Sequence, residues 1–241
     1  MNNNDYRPLF PLRNKEGLDE LAEELLKPYT ENKPTDNSQT LDLNKLLQNV
    51  EAKAQYDGAN KKALTYDQAL TDIKSRGCNR FLTPAEAFTI LIDSLTNPTG
   101  KSKTIAQDML TSFGEWLNIA WQVQADKLIV YHNPENLVWN GTIYEIKGSS
   151  LKHSGQKEYN ITGIPKNALI DLDKMPETFQ KDMYSRKVSE LPAVMRTGSK
   201  RAQVYIRGDT NIWPVARDSG IFSVNGSYYD RAVRGVHASA R

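Results

Sequence analysis

Apolar residues recur at helical spacing through residues 41–124 and at strand spacing beyond them. Leu43, Leu46, Leu47 and Val50 form one stripe within residues 41–54, which predicts an amphipathic helix. Thr65-Tyr66-Asp67-Gln68 has capping-box spacing ahead of Ala69, Leu70 and Ile73, and Arg76-Gly77 supplies a stop. Thr83-Pro84-Ala85-Glu86 repeats the signature with proline at the first helical position. It opens a helix carrying Phe88, Ile90, Leu91, Ile92 and Leu95, which Asn97-Pro98-Thr99-Gly100 ends. Met109, Leu110, Phe113, Trp116, Leu117 and Ala120 predict one further helix over residues 105–124, whose stripe needs a covering surface.

From Lys127 the period shortens to two. Lys127-Leu128-Ile129-Val130-Tyr131 predicts a strand, and residues 137–146 predict a hairpin about Asn140-Gly141. Residues 148–200 read as loop-rich with one helix over 176–184. Strands are expected at 202–206, 221–224 and 232–238. Residues 1–40 read as a tail or strap with a short helix over 16–27 and a polar, proline-punctuated end. Helices ahead of a strand-rich half predict an α+β fold. Residues 41–241 would form one domain, its helical N-terminal half covering one side of a mainly antiparallel sheet.

Composition excludes more than it selects. A chain of 241 residues, 39% hydrophobic with 6 Phe, 4 Trp and 11 Tyr, is too apolar for wholesale disorder. No apolar run approaches the roughly 20 residues of a membrane helix, so no membrane insertion is expected. Met1-Asn2-Asn3-Asn4-Asp5 lacks the basic start and apolar stretch of a signal peptide; a soluble chain is expected. Cys78 stands alone. It predicts neither a disulfide framework nor a cysteine-ligated zinc site, but a small buried hydrophobe.

Candidate chemistry is sparse. His132, His153 and His237 lie far apart, none at ligand spacing with a carboxylate. Gly155 and Gly163 fit no phosphate loop, and Gly148-Ser149-Ser150 no nucleophile elbow. Asp171-Leu172-Asp173 offers too few oxygens for a calcium cage and reads as a solvated loop. No catalytic residue, metal ligand or cofactor is therefore expected, and the chain reads as a non-enzyme.

The charge distribution is more informative than its sum. The formal charge is +2, yet residues 186–241 hold 10 Lys+Arg against 4 Asp+Glu. That tail carries +6 and leaves the preceding residues at −4. Over the last 37 residues, from Tyr205 on, there is no Lys, Glu, Gln or Met, although the chain holds 19, 13, 10 and 5 of them. At the chain-average frequency such a blank has a probability of roughly 10⁻³ or lower. Arg207, Arg217, Arg231 and Arg234 alternate there with Tyr205, Trp213, Phe222, Tyr228 and Tyr229, a composition open to a basic nucleic-acid-binding module. Asp209, Asp218 and Asp230 sit among those arginines. The Tyr, Ser, Gly, Asn, Asp and Arg mixture is that of a paratope, which makes nucleic acid the less favoured partner and an unknown protein or surface ligand the more favoured one. A generic α+β interaction domain of a virus or prokaryote is the third reading.

Gly220-Ile221-Phe222-Ser223-Val224, a polar run, and Val233-Arg234-Gly235-Val236 together resemble the variable region of proteins diversified by diversity-generating retroelements. The resemblance covers about the last 40 residues, with the variable region at about 205–236. It implies a C-type-lectin-like fold whose last strands and loops present variable side chains to a ligand. It also implies a compositional rule: mutation of adenines in asparagine codons ending in a pyrimidine reaches 15 residue types, excluding Lys, Glu, Gln, Met and Trp. The first four are those missing from the tail, where five arginines stand without a lysine. Trp213 breaks the rule and is therefore expected to be framework, with Gly220, Phe222 and Gly235. The ligand-contacting, variable set expected from the resemblance is Arg207, Asp209, Asn211, Arg217, Asp218, Ser227, Tyr228, Tyr229, Asp230 and Arg231.

Overall fold

The computed structural model describes residues 41–55, 64–97, 100–111, 114–192, 202–217 and 233–238. The expected N-terminal helix at 16–27 and strand at 221–224 lie outside them. Helices α1 (Leu43–Asn49), α2 (Tyr66–Ser75), α3 (Pro84–Thr96), α4 (Lys101–Thr111) and α5 (Glu177–Tyr184) accompany ten strands among these residues. The strands are β1 (Cys78–Phe81), β2 (Glu115–Gln124), β3 (Lys127–His132), β4 (Leu137–Trp139), β5 (Tyr144–Ile146), β6 (Gly155–Asn160), β7 (Ala168–Asp171), β8 (Gln203–Ile206), β9 (Trp213–Arg217) and β10 (Gly235–His237). Every described strand pairing is antiparallel, which bears out a mixed α+β architecture.

The local signals act as their chemistry requires. Thr83 Oγ1 accepts from the Glu86 N–H at 3.2 Å, and Glu86 Oε2 accepts from the Thr83 N–H at 2.8 Å, closing a reciprocal capping box at the start of α3. Gly77, at φ +79°, takes the left-handed conformation that ends α2. Asn140 Oδ1 accepts from the N–H groups of Thr142 and Ile143 and Gly141 sits at φ +100°, so residues 140–143 turn β4 into β5 as a four-residue loop.

β2 is the centre of a four-stranded sheet ordered β6-β3-β2-β9, and it corrects the predicted helix over 105–124: the helix ends at Thr111 and an extended strand follows. Leu117, Ile119, Trp121 and Val123 point into the larger core, with Phe88, Leu91, Met109 and Phe179. Trp116 and Ala120 point into a second core on the opposite face, with Tyr66, Phe81, Leu137, Tyr144 and Trp213. Leu117, Ile119, Trp121 and Val123 alternate at strand spacing with Asn118, Ala120, Gln122 and Gln124, but the apolar Trp116 and Ala120 on the second buried face let the segment match helical spacing with Met109 and Phe113 as well.

The second core also corrects the expectation that helices cover one side. α2 packs there through Tyr66, Ala69, Leu70 and Ile73, beside the β4–β5 hairpin, whereas α3, α4 and α5 contribute to the larger core. Two strands within the loop-rich stretch, β6 and β7, have no counterpart in the periodicity. β6 exposes Gln156, Lys157 and Glu158 and buries Tyr159, so its pairing with β3 rather than its own pattern defines it. Asp171 ends β7 and accepts from Gln203 Nε2 at 2.7 Å, while Leu172 is buried, which corrects the solvated-loop reading.

β10 pairs with β1 at close range. A Cβ on Gly235 would lie 2.4 Å from Cys78 Sγ and 2.6 Å from Cys78 Cβ. Gly235→Ala is therefore expected to destabilise the chain by about 1–3 kcal/mol through overpacking, measured by urea unfolding. Adding Cys78→Gly should recover part of that loss, because it removes both clashing atoms.

Candidate functional site

Three residues of the predicted ligand-contacting set gather in the loop between β8 and β9. Asp209 is the hub: its carboxylate accepts from Trp213 Nε1 at 2.7 Å, Arg207 Nε at 3.0 Å and the Asn211 N–H at 3.0 Å. Burial pushes the Asp209 carboxyl up, but the hydrogen bonds from Trp213, Arg207 and Asn211 outweigh it and hold the group below its usual range. The Arg207 guanidinium stacks 3.7 Å from the Trp213 ring centroid, a cation–π contact. Gln122 of β2 donates to the Thr210 carbonyl at 2.8 Å. Arg207, Asp209 and Asn211 are half-buried and Thr210 is exposed. Trp213 is buried and Gly235 tightly packed. The loop thus presents a charged, aromatic-backed patch whose side chains are oriented by one another.

Arg217 does not belong to that patch. It was expected at the ligand-contacting surface, yet it is fully buried on β9, with Nη2 donating to the Met109 carbonyl and lying 3.4 Å from Glu115 Oε1. Arg234 is equally internal: its guanidinium donates to both Glu115 oxygens at 2.9 and 3.1 Å and to Asp108 Oδ2 and the Glu51 carbonyl. Burial alone would lower the Arg234 pKa, but the charges of Glu115 and Asp108 reverse this and raise it. Two of the five arginines in the last 37 residues are therefore neutralised inside the protein. A nucleic-acid footprint needs basic groups at the surface, and these two cannot supply it. Asp218, Ser227, Tyr228, Tyr229, Asp230 and Arg231, with the framework candidates Gly220 and Phe222, lie outside the described residues.

A second site arises where none was expected. Among the described residues one group of metal-ligating side chains converges: Glu51, Cys78 and His237, with ligand atoms all within 4.8 Å of one another. Cys78 is buried, as predicted for a small hydrophobe. His237, which lies at no ligand spacing in the sequence, gains ligand-type neighbours in the fold, because the β1–β10 ladder sets Cys78 opposite it. Burial, with the Glu51 charge beside it, raises the Cys78 thiol to about 11, so the free thiol is a poor nucleophile at neutral pH. Pairing of residues 159 apart leaves no spacing motif by which the sequence could have signalled it.

No family model, curated protein or solved structure matches this chain.

Proposed function

We propose that the chain is a non-enzymatic ligand-binding protein whose C-terminal region is diversified by a retroelement and displayed on a fixed, C-type-lectin-like scaffold. The observation that carries this reading is the absence of Lys, Glu, Gln and Met from the last 37 residues beside five arginines. A strand-rich tail would deplete Lys and Glu but has no reason to exclude Gln and Met together. Support also comes from the loop at 207–213, where Arg207, Asp209 and Asn211 are preoriented around a buried tryptophan. Preorganised aromatic and charged groups reduce the entropy lost on binding. The ligand-contacting set proposed is Arg207, Asp209, Asn211, Asp218, Ser227, Tyr228, Tyr229, Asp230 and Arg231, without the buried Arg217. The partner would be a protein or surface ligand; no described helix is long and apolar enough to cross a membrane.

The test is in the encoding locus. A near-copy of the last roughly 110 nucleotides, differing from the gene only where the copy has adenine, is expected near a reverse-transcriptase gene. A complete locus holding no such copy removes this reading. Binding of generic DNA that weakens steeply with salt would instead favour the nucleic-acid module.

A further inference from the structure

We propose that Glu51, Cys78 and His237 form a binding site for a single divalent transition-metal ion, with Zn²⁺ the best match, clamping the extended segment after α1 to the β1–β10 ladder. The donor set is one carboxylate, one thiol and one imidazole, the ligand types zinc takes, and three protein donors leave one tetrahedral position for water. The cysteine–histidine separation agrees with that geometry, and the Glu51 oxygen lies within 4.8 Å of both. Zinc bonds of about 2.3 Å to sulfur and 2.0–2.1 Å to nitrogen, opened to a tetrahedral angle, place the two atoms about 3.6 Å apart. Cys78 Sγ lies 3.6 Å from both Nδ1 and Nε2 of His237.

Two of the three donors are also held from behind, as metal ligands are. His237 Nδ1 sits 3.3 Å from the Gly77 carbonyl; a proton on Nδ1 donated there leaves the Nε2 lone pair for a metal. Glu51 Oε2 accepts from the Gly235 N–H at 2.7 Å, and Oε1 pairs with Arg76, which leaves further lone pairs on both oxygens. The Glu51 N–H donates to the Gly235 carbonyl at 3.1 Å, so the carboxylate and the ladder bearing the other two donors are joined through the backbone. Charge closes as well. A carboxylate and a thiolate balance the dication, the thiol proton leaving to solvent on binding, while Arg76 is matched by Asp72 at 2.7 Å. His237 is exposed and is the donor that lines an open groove of about 320 Å³, with Asp42, Lys45 and Arg80.

The test uses the full chain, stripped with chelator and titrated with Zn²⁺ alone by calorimetry, then with Co²⁺ followed by absorbance. One equivalent of Zn²⁺ is expected to bind, with His237→Ala and Cys78→Ser each weakening it at least tenfold. Co²⁺ should give a thiolate-to-metal charge-transfer band in the parent and none in Cys78→Ser. Because His237 is exposed, His237→Ala keeps the test open should Cys78→Ser fold poorly, and circular dichroism checks both. Absence of stoichiometric Zn²⁺ binding by the parent, a Co²⁺ complex without the thiolate band, or equal binding by folded His237→Ala would overturn the proposal.

Discussion

Glu115→Ala is expected to destabilise the protein by about 3–5 kcal/mol, measured as the free energy of chemical unfolding. Glu115 is 1% exposed and faces two guanidinium groups, Arg234 at 1% and Arg217 at 0% exposure. Removing the carboxylate leaves two buried cations with one counter-charge fewer between them, although Asp108 still reaches Arg234. The cost comes from the stranded charges rather than from the net value of the pairs. Replacing Glu115, Arg217 and Arg234 together by methionine should therefore cost much less than Glu115→Ala alone. A loss below about 1 kcal/mol for Glu115→Ala, the range of exposed ion pairs, would show that water reaches the network in solution.

Trp116→Ala is expected to cost a similar 3–5 kcal/mol, by cavity formation rather than charge. Its ring is 2% exposed and meets Tyr66 edge-on at a centroid distance of 5.6 Å and Tyr144 at 6.4 Å, while Nε1 donates to the Leu64 carbonyl at 2.9 Å. Alanine loses the burial, both aromatic contacts and a hydrogen bond made inside the protein. Trp116→Phe keeps a ring and loses the donor, so about 1–3 kcal/mol is expected from the orphaned carbonyl and smaller volume. Trp116 joins α2 and the β4–β5 hairpin to the central sheet, and hydrogen exchange should accelerate in those elements before α3 and α5. Uniform acceleration across both cores would mean that the two faces of β2 unfold as one unit.

The sites differ in how far the sequence revealed them. Arg207, Asp209 and Asn211 lie within five consecutive positions, so their association needs only a tight loop, and the three entered the expected set through the resemblance of the tail. The Glu51, Cys78 and His237 cluster was not, because its members meet only when β10 pairs with β1 and the segment after α1 adds alongside. Arg217 was misassigned for a related reason. Asp218-Ser219-Gly220 after it read as a polar loop, but Trp213 to Ala216 before it are apolar and β9 carries it with them into the core, where Glu115 lies 3.4 Å away.

The sequence by itself determined the local elements and the composition of the tail. The capping box at Thr83 and Glu86, the stop at Gly77 and the turn at Asn140-Gly141 act between residues at most a few positions apart, so no distant partner is needed to read them. Tertiary structure decided whether residues 115–124 are helix or strand, which arginines face solvent and where cysteine meets histidine. Residues 117–124 keep a strand period, but the apolar Trp116 and Ala120 on the second buried face also fit a helical stripe running on from Met109, and only packing chooses between the two. A guanidinium becomes tolerable in the core only when a carboxylate is delivered to it from elsewhere in the chain, as Glu115 is to Arg234 across 119 positions.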